Sequence, residues 1–207
     1  TNESAGDIQY GYLKRPTHSN TSWEMACFEM VAHRYADLSD AQYGVALLND
    51  CKYGYKLKDN VLDLNLLRSP RYPDDSADIG RHSFTYSLLP HCGTLVESDV
   101  MAEATALNMP PVVWPGMTGA VEMPCRLTGS GVSLEVMKKA EKSDCLVLRL
   151  VETNGCESTA SLSFTKEVEL QETDLLEWNA LGEKRFGTAF ELCFKPFEIK
   201  TFKVKVR

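Results

Sequence analysis

The stretch of residues 47–91 constrains the fold of this 207-residue chain more than any other feature. In residues 61–67, leucines alternate with polar or charged residues, a period-two pattern typical of a half-buried β-strand. A second strand is predicted over residues 83–89, where Phe, Tyr and Leu side chains share one face. Between these strands, residues 70–81 form a polar loop with three aspartates and two prolines. The pattern predicts a sheet that carries one long polar loop, and such loops are a common place for function.

The rest of the chain favours short strands separated by turn residues. A helix is the alternative for residues 23–38, because Met25, Phe28 and Ala32 would line one helical face, but the neighbouring strands favour a strand there. Turn signals at intervals of roughly 8–12 residues are typical of a β-sandwich. No strand–helix–strand rhythm and no glycine-rich phosphate motif occurs, which argues against a nucleotide-binding α/β fold. Strands are predicted over residues 8–13, 23–38, 43–48, 132–140, 144–152, 158–164, 167–172, 188–195 and 197–206.

The last predicted strand contains a conflict between its two faces. Phe197 and Ile199 fall on one face, whereas the apolar residues at 202, 204 and 206 fall on the other. A regular strand cannot bury both sets, because side chains alternate strictly between the faces. We therefore expect a bulge that shifts the alternation by one residue near residues 200–201.

A connecting segment rich in proline and glycine divides the chain. Residues 108–124 contain four prolines and two glycines, a composition that ends regular structure. The sequence therefore predicts two domains, residues 1–124 and residues 125–207. A strand-like run begins at Ile8, soon after the first residue, which leads us to expect that the chain is a fragment of a longer protein.

Composition excludes several classes of partner. The net charge is −7 and the basic residues form no cluster, so we expect no nucleic-acid partner. No apolar run reaches the ~18 residues of a spanning helix, and no signal peptide opens the chain, so we expect no membrane partner. The seven cysteines are odd in number and lack paired spacing, which indicates buried free thiols in a reducing compartment and hence a cytoplasmic protein.

No metal site is predicted from the histidines and cysteines. Structural zinc usually takes compact ligand pairs such as C-x-x-C or H-x-x-x-H, and neither pattern occurs. His82 and His91 are nine positions apart. On one extended strand they would point to opposite faces, roughly 30 Å apart at ~3.3 Å per residue. Histidines that form hydrogen bonds at strand ends are therefore the favoured interpretation.

No complete catalytic arrangement is visible either. Asp74 and Asp75 are adjacent carboxylates, but they lie in a hydrated loop where nothing desolvates one of them, as a general acid requires. No nucleophile elbow and no cysteine-enzyme signature occurs. Trp114 and Trp178 could stack on a sugar ring, although a place in the core or at a domain boundary is the favoured interpretation. The residues alone predict no catalytic site in this chain.

Several long segments resemble the C-terminal β region of glycoside hydrolase family 38, and they are most similar to its cytosolic and bacterial α-mannosidases. The resemblance extends over nearly the whole chain. It rests on YGYLKRPTHSNTSWEMACFE (10–29), ALLNDCKYGY (46–55), LLRSPRYPD (66–74), AD-x-GRH-x-F-x-Y-x-L-x-PH (77–91), KKAEKSDCLVLRLVE (138–152) and FKPFEIKTFKV (194–204).

The resemblance implies an all-β fold: the latter part of a large β-sandwich, the supersandwich, followed by a small C-terminal β-sandwich. It also implies a strand over residues 100–107, although Met, Ala, Glu and Leu there favour a helix. In this family the zinc, the aspartate nucleophile and the acid lie in an N-terminal β/α domain, and no segment here matches it. The chain is then a non-catalytic fragment without its own cofactor. Its partners would be its own catalytic domain and α-mannoside oligosaccharides, and an oligomer is compatible with the resemblance.

The implied parent is a retaining α-mannosidase that releases mannose from α-mannosides, in oligosaccharide and mannose metabolism. The alternative is an autonomous β-sandwich that binds carbohydrate without cleaving it. The resemblance places the loop after the long strand near the catalytic cleft. We therefore expect Arg81 or His82, together with Asp74, Asp75 or Asp78, to shape the substrate subsite. Arg81 is favoured because a guanidinium suits ligands rich in hydroxyl groups, whereas the alternative is a solvated turn in which Arg81 pairs with Asp78.

Overall fold

The structure, a computed structural model, describes residues 2–116, 119 and 123–207. It divides into two compact units, Thr1–Trp114 and Pro115–Arg207. Part of the predicted connector, namely residues 117, 118 and 120–122, lies outside the described residues. Antiparallel strands dominate both units, so the all-β prediction is confirmed. None of the helices in the described residues is long and apolar enough to cross a membrane.

The first unit is built on a five-stranded antiparallel sheet with the strand order β2-β1-β4-β5-β8. A smaller sheet of three strands has the order β3-β6-β7. The elements in chain order are β1 (Glu3–Ile8), β2 (Gly11–Pro16), α1 (Ser22–Ala26), β3 (Met30–Val31), β4 (Tyr35–Ser39), β5 (Tyr43–Asn49), β6 (Gly54–Lys58), β7 (Val61–Leu64), β8 (Tyr86–Cys92), a 3-10 helix (Leu95–Glu97) and α2 (Val100–Asn108).

The two faces of the five-stranded sheet have separate cores because side chains alternate along each strand. On one face, Tyr35 and Leu48 pack against Val100 and Ala104 of α2 and against the 3-10 helix. On the other face, a cluster centred on Leu47 joins the sheet to β3, β6 and β7. In β7, half-buried leucines alternate with exposed residues, as the sequence pattern predicts. The members of this second cluster are Ala32, Ala36, Leu47 and Tyr55, with Met30, Leu57, Leu62 and Leu64 packed around them.

The second unit is one six-stranded sheet wrapped around a single core. Its path is β10-β11-β14-β12-β13, and β9 pairs with β12. The pairing of β12 with β13 shifts between Ser163 and Val168, and side chains from both halves of β12 enter the same core. The strands are β9 (Cys125–Thr128), β10 (Val132–Lys139), β11 (Leu146–Glu152), β12 (Ser158–Thr173), β13 (Arg185–Phe194) and β14 (Ile199–Val206).

Three predictions for the first unit are wrong. Residues 8–13 are not one strand: the chain reverses between β1 and β2, and Tyr10 takes a left-handed φ of 59° in the turn. Residues 23–38 contain α1, β3 and β4 instead of one strand. Helix α1 begins where the Thr21 hydroxyl accepts from the Glu24 amide and the Glu24 carboxylate accepts from the Thr21 amide, a capping box.

The strand predicted over residues 100–107 is also wrong. The segment is helix α2, whose Val100 and Ala104 are fully buried against the five-stranded sheet. Helix propensity, which Met, Ala, Glu and Leu share, is satisfied here together with burial. The strand predicted over residues 83–89 does form, but it is shifted towards the C-terminus as β8.

The predicted bulge in the last strand does not form. The register of β14 runs without a shift along both neighbours, from Ile199 to Val206. The conflict is resolved before the strand begins, because Phe197 takes a left-handed φ of 55° in a turn. The Phe197 amide donates to the Glu152 carboxylate at 2.9 Å, which holds that turn against the end of β11.

The seven cysteines, all within the described residues, are free thiols as predicted. The expectation that they are buried is wrong for most of them, because only Cys125 is fully buried and it joins the core of the second unit. Cys145 is half-buried, and Cys27, Cys51, Cys92, Cys156 and Cys193 are exposed.

Candidate functional site

The long polar loop of residues 65–85 connects β7 to β8, and both of its ends are fixed. At its start, the Asn65 amide donates to the Gly54 carbonyl oxygen at 2.8 Å. At its end, the Thr85 amide donates to the Asp50 carboxylate at 2.9 Å, and the Asp50 amide donates to the Thr85 carbonyl oxygen at 3.2 Å. Hydrogen bonds therefore fix both ends of this long loop to neighbouring segments of the first unit.

Two of the predicted site residues lie on one turn of this loop. Asp78 has a φ of 62°, and its carbonyl oxygen accepts from His82 Nε2 at 2.9 Å. Its carboxylate accepts from the Ser69 amide at 2.9 Å, and this bond holds the pKa of the Asp78 carboxyl below its usual value. Asp78 and His82 line a shallow cavity of about 160 Å³ together with Lys52 and Arg68. Basic groups and an ionised carboxylate thus face the same small opening.

The other predicted residues do not join this group. Asp74 accepts from the Ser76 hydroxyl at 2.7 Å and from the Ser76 amide at 2.9 Å, and these bonds lower the pKa of its carboxyl. Asp75 and Arg81 are exposed, and no ion pair joins Arg81 to Asp78 within the residues that the structure describes. The side chain of Arg81 is free to meet a partner or a ligand.

Asp74 and Asp78 do not have the surroundings of a glycosidase acid. Retaining hydrolysis needs a pair of carboxyls about 5–5.5 Å apart, with the pKa of the acid raised. In this loop the pKa values of Asp74 and Asp78 are lowered instead, because amide and hydroxyl donors stabilise the charged carboxylates. The arrangement suits binding of polar groups rather than proton transfer.

A buried polar cluster that the sequence did not predict lies on the five-stranded sheet. His91 Nε2 donates to the Asp37 carboxylate at 2.8 Å, and the Ser39 hydroxyl donates to the other oxygen of Asp37 at 2.5 Å. Gly44 makes room for the ring, since a Cβ at that position would lie 2.4 Å from His91 Cε1. Through Asp37, the cluster ties β4 to β8 across β5.

A second buried pair ties together distant parts of the first unit. Asp7 is 1% exposed and accepts from the Arg34 amide at 2.9 Å, from its Nε at 3.0 Å and from its Nη2 at 2.9 Å. Arg34 Nη1 also donates to the Thr105 hydroxyl at 2.9 Å, on α2. The pair joins β1, the start of β4 and α2, which is a structural role.

Zinc has no site among the residues that the structure describes, where no group of three His, Cys, Asp or Glu side chains could hold a metal ion. Both tryptophans considered for sugar stacking are exposed. Trp178 lies under the Lys142 ammonium, 4.3 Å from the ring centre. No described feature combines a metal, a nucleophile and an acid.

Two models of one protein family match the chain. The model described as the glycosyl hydrolases family 38 C-terminal domain matches residues 1–76. The model described as the glycosyl hydrolases family 38 C-terminal beta sandwich domain matches residues 131–202. Together they cover well over half of the chain and include residues of both units.

The curated relatives are α-mannosidases. The chain is 41% identical to alpha-mannosidase 2C1 of Mus musculus over 94% of its own length, and it covers 20% of that protein. It is 38% identical to alpha-mannosidase G of Dictyostelium discoideum, covering 19% of it, and 33% identical to an alpha-mannosidase of Saccharomyces cerevisiae, covering 21%. The chain therefore spans about a fifth of the length of the curated relatives it matches.

Solved structures share the fold. An alpha-mannosidase from Enterococcus faecalis V583 superposes with a TM-score of 0.70 at 17% identity, over 98% of this chain and 24% of that chain. A glycosyl hydrolase family 38 protein from Enterococcus faecalis gives a TM-score of 0.74 at the same identity. At this identity the likeness concerns the fold, whereas the family assignment rests on the sequence matches. The chain belongs to glycosyl hydrolase family 38, and it corresponds to the C-terminal β region of that family.

Proposed function

We propose that the chain is the C-terminal β region of an α-mannosidase, a retaining glycoside hydrolase that releases mannose from α-mannosides. The observation that carries the proposal is the 41% identity to alpha-mannosidase 2C1, which extends along 94% of the chain. The chain would act in a cytoplasmic enzyme of oligosaccharide and mannose metabolism. Its seven free thiols are compatible with a reducing compartment.

In this proposal the catalytic zinc and both catalytic carboxyl groups belong to a preceding catalytic domain. The described residues of this chain offer no metal site, and the carboxylates of the loop have lowered pKa values. The chain would contribute a scaffold and one polar loop to the whole enzyme. The exposed Arg81 and the Asp78–His82 turn are the groups that would reach the hydroxyls of a mannoside, directly or through a carboxylate beside the cleft.

The 207-residue chain by itself is expected to release no detectable product from an aryl α-mannoside, with or without added zinc, because it lacks a nucleophile, an acid and a metal site in its described residues. The measurement is the release of the chromogenic phenol, compared with the full-length protein at equal molarity. Turnover by the chain at a rate comparable to the full-length protein would contradict the proposal. Binding of mannosides without cleavage by the short chain would favour an autonomous carbohydrate-binding domain instead.

Arg81→Ala in the full-length protein is expected to lower kcat/KM for an α-mannoside at least tenfold, which is about 1.4 kcal/mol of transition-state stabilisation. Arg81 is exposed and lacks an ion pair with Asp78, so the thermal midpoint should not change. Arg71→Ala is the matched control, since Arg71 is an exposed arginine of the same loop. Unchanged kinetics in the Arg81→Ala protein would indicate that the loop is a solvated connection and that Arg81 does not act on the substrate.

A further inference from the structure

An apolar loop of the second unit exposes most of its hydrophobic side chains. Residues 174–182, here called the 174–182 loop, form most of the connection from β12 to β13. Leu175, Leu176, Trp178 and Leu181 are 55%, 66%, 66% and 48% exposed. Single exposed apolar residues are common on protein surfaces, but four within nine residues are the kind of patch that marks an interaction site.

The backbone of this loop is held in one conformation from within. The Asp174 carboxylate accepts from the Trp178 amide at 2.9 Å and from the Asn179 side-chain nitrogen at 2.7 Å. The Asp174 amide donates to the Asn179 carbonyl oxygen at 3.0 Å, and the Glu177 amide donates to the Asp174 carbonyl oxygen at 3.0 Å. A loop with these internal bonds has an ordered backbone, which sets the direction in which each side chain leaves it.

Basic residues on three strands of the sheet hold the loop by ion pairs and hydrogen bonds. Lys138 on β10 pairs with the Glu177 carboxylate at 2.9 Å, and the Glu177 side chain is only 11% exposed. Arg149 on β11 donates to the Leu175 carbonyl oxygen at 3.1 Å, and Lys203 on β14 donates to the Glu177 carbonyl oxygen at 2.6 Å. Glu177 takes a left-handed φ of 64°, which is unfavourable for a residue with a side chain.

This arrangement directs the Glu177 carboxylate inward and leaves the apolar members of the loop exposed. Glu177 turns inward to the basic residues, whereas Leu176 and Trp178 on either side of it are each 66% exposed, with the Lys142 ammonium over one face of the Trp178 ring. An isolated loop would gain by the opposite arrangement, because burying apolar side chains is favourable and burying a carboxylate is not. A backbone that is ordered before binding loses less conformational freedom on binding, and tryptophan is a common centre of binding energy.

We propose that the 174–182 loop is the anchor by which this region docks on the preceding part of the α-mannosidase, in an apolar recess that receives Trp178 and Leu176. The inference rests on the proposed function, because the occupant is the remainder of that enzyme. About four fifths of the length of the curated relatives lies outside the matched region, and the glycosyl hydrolase family 38 protein from Enterococcus faecalis likewise has three quarters of its chain outside it. A partner in the same polypeptide has a high effective concentration, so a small apolar anchor suffices.

The test places the photo-reactive amino acid p-benzoylphenylalanine at position 178 of the full-length protein. An aromatic residue replaces an aromatic residue at an exposed position, so folding should be retained, and circular dichroism checks this. After irradiation, mass spectrometry should locate the cross-link in a peptide that precedes the 207-residue region. The matched control carries the same amino acid at position 186, where Phe186 is an exposed aromatic residue of β13, 49% accessible and outside the loop. The cross-link yield at 178 should exceed that at 186 at least tenfold.

Three outcomes would overturn the proposal: a cross-link between two copies of the chain, no cross-link from position 178, or equal yields of the same cross-link from positions 178 and 186. The release of mannose from an aryl α-mannoside is measured separately on the full-length protein without the photo-reactive residue. Absence of that activity refutes the proposed function. An active enzyme without a cross-link refutes only the role of the 174–182 loop.

Discussion

Glu152→Gln is expected to lower the free energy of unfolding of the second unit by about 3 kcal/mol, because hydrogen bonds to a charged group are stronger than neutral ones and a buried donor without an acceptor is destabilising. Glu152 is 0% exposed at the end of β11. One carboxylate oxygen accepts from the Asn154 amide at 2.8 Å and the Ser158 hydroxyl at 3.2 Å. The other accepts from the Gly155 amide at 2.8 Å and the Phe197 amide at 2.9 Å.

A glutamine at position 152 has one oxygen for these four donors. Whichever way its amide group turns, two donors lose their acceptor and face an NH₂ group instead. Urea unfolding of the chain, followed by circular dichroism, measures the loss. Glu157→Gln is the matched control, since Glu157 lies on the same connection between β11 and β12 and is exposed, and its effect should stay within about 0.5 kcal/mol. A loss below about 1 kcal/mol for Glu152→Gln would show that the carboxylate does not hold the turn at Phe197.

Asp7→Asn is expected to destabilise the first unit by about 3 kcal/mol, because removing one charge of a buried pair leaves the other without compensation. The change removes the charge that holds both the Nε and the Nη2 of Arg34. The effect should lie at the low end for buried pairs, since the Arg34 side chain is 35% exposed and keeps some water. The free energy is again measured by urea unfolding.

The control for this change is Asp63→Asn, an exposed aspartate on β7 of the same unit. We expect it to change the free energy of unfolding by no more than about 0.5 kcal/mol. If Asp7→Asn were equally mild, Arg34 would have to find its stabilisation elsewhere, and the connection of β1 to α2 through Thr105 would not depend on the Asp7 charge.

The sequence predicted those parts of the fold in which local pattern and burial agree. Residues 132–140, 144–152 and 43–48 are short segments rich in apolar residues, as buried strands require, and they form β10, β11 and β5. The two helices were missed for different reasons. In α2, residue propensity favours a helix whereas the resemblance implies a strand, and the helix forms. In α1, the capping pair Thr21 and Glu24 was present in the sequence and could have identified the helix start.

The polar clusters could not be predicted, because their members are distant in sequence. Asp37 and His91 are 54 residues apart, and Asp7 and Arg34 are 27 apart. Spacing along the chain shows neither contact, since both depend on which strands become neighbours in the sheet. A weak signal existed at Gly44, whose missing side chain makes space for the His91 ring, but a glycine in a strand has several explanations.

Pro90 lies in β8, the strand at one edge of the five-stranded sheet. Among the residues that the structure describes, β8 pairs with β5 alone, so its other side is an open edge there. The Asp50 amide donates to the Thr85 carbonyl oxygen, and the Gly93 amide donates to the Gln42 carbonyl oxygen. Hydrogen-bonded and non-hydrogen-bonded pairs alternate along an antiparallel ladder. The pair Val45–Pro90, which lies between these two bonds, is therefore a non-hydrogen-bonded pair.

The nitrogen of Pro90 therefore faces away from β5, towards the open side. An incoming strand would need an amide donor at that position, and proline has none. The outward donors of β8 are thus interrupted between Leu88 and Cys92, although Tyr86 and Leu88 expose apolar surface beside them. Proline at this position guards the sheet against edge-to-edge aggregation, the hazard that an open and partly apolar edge strand brings to a newly made polypeptide.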